Sequence, residues 1–432
     1  MAERALPGVE KLGARDGLRT LWLLRKGTRG LPHALELLHA RLGDIFRLRL
    51  GRFERIVLAH PQALREALVE KRQAFAWRVG DEPVVRLLRR GLLVEDGHTH
   101  AVLRRIMDPS NRRKHFLPRL TTFYPLLERL ISQWQHGATY DMLIEMRKVA
   151  LLAFEWVYFS HDLTDELQSL WKPILSAIHY IGPGKWLLLG TGRVPTAIAP
   201  LNAHFYRLIR QRRQTDAPPD DMLTHLIQHL EDDEIVRDQM MTMFIAGHDT
   251  STAALAWALY LFGRYPQWQA KVREEIRGHF GDELPPPEKV SELPQLDAFV
   301  KETLRLYPPI HAGNRRIVAP VQIMGYDLRP EQKVLLSYYL VQRHPHYWEA
   351  PGTFRPERWL ESARQTETFS YVPFSGGPRM CIGAPFAQVE LRMVLSYLLQ
   401  RFRFTLLHDV EMHMGATLEP YPYVRMKVEK IS

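Results

Sequence analysis

What this 432-residue sequence lacks excludes several classes of protein. It contains a single cysteine, so an internal disulfide framework is impossible and nothing indicates an oxidising compartment. It has no low-complexity tract and no repeat at a solenoid period. Its hydrophobic content of 46% and charged content of 25% are typical of an ordinary globular protein. Disordered, fibrous and repeat architectures are therefore excluded.

Long apolar runs are also missing near the start of the chain. Charged side chains interrupt residues 1–30 so often that no stretch approaches the roughly 18 apolar residues of a membrane-spanning helix. The apolar patch at residues 21–24 is too short for the core of a signal peptide. We expect a cytoplasmic protein without a transmembrane segment. We also expect one catalytic domain over residues 1–432, with residues 1–30 as a loosely packed N-terminal segment.

The charge balance is basic, with a net charge of +10. Residues 111–115, Asn-Arg-Arg-Lys-His, form the best candidate patch for a nucleic acid. No interleaved aromatic residues and no nucleic-acid motif accompany this patch, so we expect no nucleic-acid binding. A basic surface can equally attract an acidic protein partner.

The only cysteine, Cys381, lies in a stretch rich in glycine and proline that runs from Phe374 to Gly383. An apolar period over residues 386–402 predicts a long helix directly after it. Free N–H groups at a helix N-terminus favour a thiolate, which is the form that acts as a nucleophile or a metal ligand. Two other interpretations are a small buried hydrophobic residue and a nucleophilic cysteine with a base partner. The flanking glycines favour close approach by a large flat group.

This pattern, Phe374-x-x-Gly377-x-Arg379-x-Cys381-x-Gly383, resembles the haem-binding loop of the cytochrome P450 family. The resemblance implies haem b as the cofactor, with the Cys381 thiolate as the axial ligand of the iron. It also implies that Phe374, Gly377, Arg379 and Gly383 contribute to cofactor binding.

A second strong element is a helix of about thirty residues from near Asp233, apolar on most faces and therefore predicted to be buried. Its centre, residues 246–251, reads Ala-Gly-His-Asp-Thr-Ser and contains poor helix formers, which indicates a functional site. Gly247 would leave room for a ligand, and Thr250 or Ser251 could bond back to a carbonyl one turn earlier. The pattern resembles the oxygen-activation motif of the family, which implies catalytic roles for Ala246, Gly247, Asp249 and Thr250 in organising water and delivering protons.

Further cofactor contacts are predicted on a short helix and a strand. His100 and Arg104 stand four residues apart and share a helical face. The resemblance implies that both contact the haem propionates and that Arg315 or Arg316 reaches a propionate, with the spacing to Gly325 favouring Arg315.

Three charged residues have an expected structural role. Glu302 and Arg305 stand three apart on one helical face, and the resemblance adds Arg358 to their ion pair. We expect these three residues to form a buried network that supports the Cys381 loop.

Apolar residues in the matching positions favour a large lipophilic substrate such as a fatty acid, terpenoid, steroid or carotenoid. The predicted pocket residues are Val84, Val85, Phe244, Ile245, Pro309, Ile310, Ala312 and Leu418.

The resemblance implies a mainly α fold with a small segregated mixed β region (α+β). It implies a haem-thiolate monooxygenase that uses dioxygen and two external electrons to hydroxylate or epoxidise its substrate. Because no flavin or nicotinamide motif is present, a separate ferredoxin or flavodoxin is expected as electron donor to a monomeric enzyme. One alternative is a hydrogen-peroxide-dependent fatty-acid peroxygenase, against which the Asp249-Thr250 pair argues. Another is a non-enzymatic haem protein that binds or senses a ligand.

Overall fold

The computed structural model describes residues 6–50, 53–184, 186, 190–361 and 367–431. Helices make up most of the described chain. In chain order they are α1 Ala14–Arg25, α2 Leu31–Leu42, α3 Pro61–Arg65, α4 Pro83–Leu88, α5 Gly97–Met107, α6 Arg113–Thr121, α7 Tyr124–Ile131, α8 Met142–Phe159, α9 Leu167–Ile181, α10 Ala199–Arg213, α11 Met222–His229, α12 Asp233–Arg264, α13 Pro266–Phe280, α14 Pro294–Leu306, α15 Tyr338–Val341 and α16 Ala384–Arg401.

The strands form small separate sheets. They are β1 Ile45–Leu50, β2 Phe53–Leu58, β3 Phe75–Ala76, β4 Thr139–Asp141, β5 Gly313–Ile317, β6 Val321–Ile323, β7 Tyr326–Leu328, β8 Lys333–Leu336, β9 Phe402–Leu406, β10 Glu411–Met414, β11 Leu418–Tyr421 and β12 Arg425–Lys430. The largest sheet has the order β1-β2-β8-β5-β3, in which β2 and β8 are parallel and the other pairs antiparallel. The prediction of a mainly α fold with a small mixed β region is confirmed.

The long central helix predicted from the sequence is α12. Its N-cap, Asp232, accepts a hydrogen bond from the N–H of Glu234 at 2.8 Å, and acidic residues fill the first turn, where the helix dipole favours them. Pro266 begins the next helix and so fixes where α12 ends. Most side chains of α12 are buried against helices α8, α10 and α16, among others. The helix therefore crosses the hydrophobic core.

The N-terminal segment begins with residues that pair with β1, since the N–H of Arg47 donates to the carbonyl of Pro7 at 2.7 Å. Helix α1 then packs on α2 through Thr20 and Leu23, which are buried. Its opposite face exposes Leu18 and Trp22. Whether this segment is loosely packed in solution stays a prediction. Within the described part of the chain, no helix combines the length and apolarity that a bilayer crossing requires.

Glu302 on α14 is at the centre of a buried ion network. Its carboxylate accepts two hydrogen bonds from Arg305, at 2.8 and 2.9 Å, and one from the Nε of Arg358 at 3.0 Å. All three side chains have no exposure to solvent. Burial alone would raise the pKa of Glu302, but the hydrogen bonds from Arg305 and the nearby arginine charges lower it. The structure thus brings the three sequence-predicted residues into direct contact.

We predict that Glu302→Gln destabilises the protein by about 3–5 kcal/mol, because it leaves two buried guanidinium groups without a compensating charge. The measurement is equilibrium unfolding in urea, followed by circular dichroism. Glu331→Gln is the control, since its exposed carboxylate pairs with Arg316 at the surface, and such pairs contribute less than about 1 kcal/mol. An equal loss of unfolding free energy in Glu302→Gln and Glu331→Gln would contradict a structural role for the network.

Candidate functional site

The Cys381 loop is closed by its own backbone and fitted tightly to its neighbours. The N–H of Cys381 donates to the carbonyl of Phe374 at 3.0 Å. Gly377 has a φ of +71°, and a Cβ there would lie 2.4 Å from the carbonyl oxygen of Leu68. Only glycine meets both conditions without strain. Helix α16 begins at Ala384, as the apolar period predicted to within two residues.

The environment of the thiol differs in one respect from the sequence-based expectation. Burial raises the pKa of Cys381, although the N–H groups of Gly383 and Ala384 and the charge of Arg104 each act to lower it. Desolvation therefore outweighs the helix N-terminus for the free thiol. Cys381 nevertheless keeps exposed surface, so other side chains do not cover this residue completely.

The middle of α12 also keeps surface that other side chains do not cover. Ala246 is exposed, although Phe244 and His248 on the same helix are fully buried. Thr250 is half-buried, and its hydroxyl donates to the Ala246 carbonyl at 2.9 Å, as the sequence predicted. Gly247 differs from expectation, because a Cβ there would lie 2.4 Å from the Phe154 ring. The room left by this glycine is taken by α8 rather than by a ligand.

Asp249 belongs to a buried network that the sequence did not predict. One carboxylate oxygen contacts Arg147 of α8 at 2.5 Å, and the other accepts from the hydroxyl of Thr417 at 3.0 Å. Arg147 also pairs with Glu419 of β11 at 2.5 Å. Burial and the neighbouring Asp249 raise the pKa of Glu419 to about 7. A lone arginine in the apolar run of α8 was the one available sequence signal for this network.

Cations and an indole ring gather near the Cys381 loop. The guanidinium carbon of Arg315 lies 3.2 Å from the centroid of the Trp77 ring, and that of Arg379 lies 4.5 Å from the same centroid. The Asp96 carboxylate accepts a hydrogen bond from the backbone N–H of Trp77 at 2.9 Å and lies 3.4 Å from the Arg379 guanidinium. Arg104 donates to the Met380 carbonyl at 2.8 Å, so α5 is tied directly to the loop. Trp77 and Asp96 were not among the predicted site residues.

His100 shares this cationic environment. Burial and the charges of Arg379 and Arg104 lower the pKa of His100 to about 4, so its imidazole is neutral near pH 7. A neutral imidazole can still donate one hydrogen bond to an anion.

Arg315 provides a test of whether an anionic cofactor group fits here. Its side chain is only 3% exposed, and burial lowers the pKa of its guanidinium to about 10. One terminal nitrogen, Nη1, donates to the Asn314 carbonyl at 2.6 Å, whereas Nη2 has no hydrogen-bond partner. A buried guanidinium with an unused donor requires an acceptor, and a propionate carboxylate is a suitable one. Arg316, by contrast, pairs with Glu331 at the surface.

The predicted pocket residues fall into two groups. Ile310 is exposed, and Val84, Val85 and Ala312 are half-buried, so these side chains have area available to a ligand. The remaining four are buried: Phe244, Ile245, Pro309 and Leu418. Phe244 packs in the core against Phe205, with ring centroids 5.4 Å apart. Direct contact between substrate and these four residues stays a prediction.

A second buried carboxyl lies between α12 and α16. Ser251 donates to Glu390 at 2.5 Å, and the other carboxyl oxygen of Glu390 has no partner. Burial raises the pKa of Glu390 to about 8, so this group is mostly protonated near pH 7.

Comparison with known proteins identifies the family. The family model described as Cytochrome P450 matches residues 18–423. The chain belongs to the cytochrome P450 family. It is therefore a monooxygenase of the oxidoreductase class, with a haem-thiolate iron cofactor, and it acts on lipophilic substrates with dioxygen and a redox partner. The sequence-based prediction of family and enzyme class is confirmed.

Two Streptomyces proteins are among its relatives. Cyclooctatin synthase of Streptomyces melanosporofaciens is 28% identical over 384 residues, which cover 84% of this chain and 83% of the relative. Pentalenene oxygenase of Streptomyces avermitilis is 26% identical over 409 residues, which cover 89% and 90%. The crystal structure of the cytochrome P450DA heme domain superimposes with a TM-score of 0.84 at 24% identity, over 95% of this chain and 94% of that one.

We predict that Glu390 makes stability depend on pH. Its pKa is about 8 in the folded state and near the ordinary 4.5 in the unfolded chain, so the folded state binds more protons between these values. The contribution of this bound proton to folding stability is complete below about pH 4.5 and is lost as pH rises through about 8. As pH rises across that window, the free energy of unfolding of Glu390→Gln should therefore increase relative to that of the unsubstituted protein by about 1.4 kcal/mol per pH unit. Urea unfolding at several pH values measures this, and a difference independent of pH would show that the carboxyl is not protonated.

Proposed function

We propose that this cytochrome P450 binds haem b through Cys381 and oxygenates a terpenoid. The observation that carries the proposal is that Cys381 and Ala246, in the middle of the otherwise buried α12, both keep exposed surface, while Arg315 keeps one buried guanidinium donor without a partner. The cofactor of the family requires a cysteine thiolate, and Cys381 is the only cysteine in the sequence. No other residue of the chain can supply that ligand.

The cofactor would be held by charge as well as by the thiolate. We assign its two propionates to His100, Arg104, Arg315 and Arg379. Arg315 supports this assignment most strongly, because its unused Nη2 donor is buried. The Trp77 ring attracts both Arg315 and Arg379 by cation–π interaction. Phe374, Gly377 and Gly383 would shape the loop below the cofactor.

When bound at Cys381, haem would supply the activation of dioxygen and the transfer of one oxygen atom to the substrate. The second oxygen atom leaves as water, so the reaction consumes two protons that the protein must deliver. We propose that the Thr250 hydroxyl holds a water molecule near the cofactor, because it is a half-buried polar side chain bonded to the carbonyl of the exposed Ala246. Asp249 would supply the protons. Its neighbour Glu419, whose pKa is raised to about 7, can carry a proton at neutral pH.

The substrate proposal rests on the pocket and on a relative. The side chains with area available, Ile310, Val84, Val85 and Ala312, are apolar and suit a hydrocarbon surface. One relative is named for the oxygenation of pentalenene, a terpenoid hydrocarbon. We infer hydroxylation or epoxidation of a terpenoid, in preference to a fatty acid, steroid or carotenoid. Phe244, Ile245, Pro309 and Leu418 would support the pocket from behind.

Electrons would come from a small acidic protein, a ferredoxin or a flavodoxin. We define the basic patch as Arg105, Arg112, Arg113 and Lys114, all exposed on α5, on α6 and in the turn between them. Arg104 connects α5 to the Cys381 loop, so a protein docked on the basic patch would be close to the thiolate side of the cofactor. We propose that the enzyme works as a single-domain monomer in the cytoplasm.

We predict that Thr250→Ala lowers product formation at least about tenfold while haem content stays unchanged, because proton delivery contributes about 10²–10⁴ in rate. Product is quantified against electrons consumed, with a reconstituted ferredoxin system. Thr252→Ala is the matched control, since its hydroxyl makes the same bond one turn back, to His248, but is fully buried. Full coupling of electrons to product in Thr250→Ala would refute the role of this hydroxyl.

We predict that a terpenoid produces a saturable haem spin-state change in the purified ferric protein. An optical titration with terpenoids, fatty acids, steroids and carotenoids measures this. A saturable response confined to another class would overturn the terpenoid assignment and leave the monooxygenase class intact. The loss of thiolate-ligated haem in Cys381→Ser checks the ligand independently.

A further inference from the structure

A second cluster of metal-ligating side chains lies where α8, α9 and α10 meet, on different elements from the Cys381 loop. It contains Glu155 near the end of α8, His161 in the following loop, Glu166 just before α9 and His204 on α10. Ligand atoms of Glu155, His161 and His204 all lie within 4.8 Å of one another. We propose that this cluster binds one divalent transition-metal ion, with Zn²⁺ as the simplest candidate.

Glu155 gives the strongest indication that the cluster holds a ligand. Its side chain has no exposure to solvent. One oxygen, Oε1, contacts Nε2 of His204 at 3.1 Å, whereas Oε2 is buried and has no hydrogen-bond partner. A buried carboxylate is costly unless cations or donors occupy both oxygens. A metal ion bound by Glu155 would use the oxygen that the protein itself leaves unpaired.

His204 is oriented as a metal-binding histidine usually is. Its Nε2 faces Glu155, while its Nδ1 lies 3.1 Å from a carboxylate oxygen of Glu166. Metal-ligating histidines commonly donate the other ring N–H to a carboxylate, which fixes the tautomer and the ring orientation. Arg207 contacts the same Glu166 oxygen at 2.5 Å and also lies 3.0 Å from Nδ1 of His204. A carboxylate that could orient the His204 ring is therefore already in place.

His161 supplies the other imidazole. Its Nε2 lies 3.0 Å from Glu166, and its ring centroid is 5.3 Å from that of His204. Two imidazoles and a carboxylate form a ligand set that suits Zn²⁺ and neighbouring divalent ions. Zinc ligands at about 2.0–2.2 Å from the ion lie roughly 3.3–3.5 Å apart in a tetrahedron. The ligand atoms of the three residues all lie within 4.8 Å of one another, so side-chain adjustment would be needed to bring them to this arrangement.

The ion would compete with a proton. Burial alone would lower the pKa of His204, but the Glu155 and Glu166 carboxylates raise it above its ordinary value. Metal binding at Nε2 would displace the proton shared with Glu155, so the two carboxylates would then balance a divalent charge. The bound ion would fasten the end of α8 to the beginning of α9 and to α10. Helix α10 packs on α12 through Phe205 and Phe244, so the site would stabilise one side of the active-site scaffold.

The test is isothermal titration of the full-length haem protein with Zn²⁺ at near-neutral pH, after treatment with a chelator and its removal. We expect one saturable site per chain. Glu155→Gln and His161→Gln should each weaken binding at least about tenfold, and Glu166→Gln should weaken it by about 10–100-fold. His161 is a partly exposed loop residue, so His161→Gln keeps the test decisive if Glu155→Gln does not fold.

The chain offers a matched control. His39, Asp44 and His344 form another cluster with ligand atoms within the same distance of one another. In that cluster both histidines contact the same oxygen of Asp44, a partly exposed carboxylate that, unlike Glu155, has no buried oxygen without a partner. His344→Gln should therefore leave Zn²⁺ affinity unchanged.

Absence of saturable binding in the native protein would overturn the proposal. So would binding that survives His161→Gln and Glu155→Gln but is lost in His344→Gln, because the ion would then occupy the other cluster. X-ray absorption at the zinc edge gives an independent readout. We expect two imidazoles and oxygen ligands at about 2.0–2.2 Å, and a shell without imidazole would contradict the assignment.

Discussion

Glu302 is a carboxylate with no access to solvent, and its donors connect α14 to the segment that leads towards the Cys381 loop. Five N–H groups donate to it, from Arg305, Arg358, Trp359 and the backbone of Arg355. These donors join the end of α14 to the segment that leads towards the loop. Gln342 continues the connection, because its side chain donates to carbonyls at the end of α14 and accepts the N–H of Val372. A hydrogen bond therefore holds the chain at Val372, two residues before the loop begins at Phe374.

The same physical rule governs the rest of the interior, where each buried charge must find a partner. Asp249 finds Arg147 and Thr417, and Arg147 also holds Glu419. This network joins α8, α12 and β11, so the acid beside Thr250 is fixed by three separate parts of the fold. Arg315 keeps one donor unpaired inside the protein, as Glu155 and Glu390 each keep one oxygen unpaired. The proposed contact with a carboxylate of the cofactor would use the free donor of Arg315.

Close packing at two glycines also positions α12 and the Cys381 loop. The Phe154 ring lies directly against Gly247, so α8 approaches α12 at the point where the helix carries its poor helix formers. On the other side of the site, Gly377 lets the loop pass against the backbone of Leu68. Both glycines remove a side chain to allow close contact within the protein. Ala246 and Cys381 both keep exposed surface, which agrees with the proposal that a flat cofactor lies against them.

The sequence by itself determined the family, the enzyme class, the helix after Cys381 and the extent of α12. These features depend on local spacing, on apolar periodicity and on capping residues, all of which are visible within about thirty residues of chain. The partners of Asp249 were decided only by the tertiary structure, since Arg147 and Thr417 lie 102 and 168 residues away and no period links them. The raised pKa of Cys381 and the burial of Phe244 behind the pocket were also decided by packing. Desolvation depends on everything that surrounds a group, and a sequence shows only what precedes and follows it.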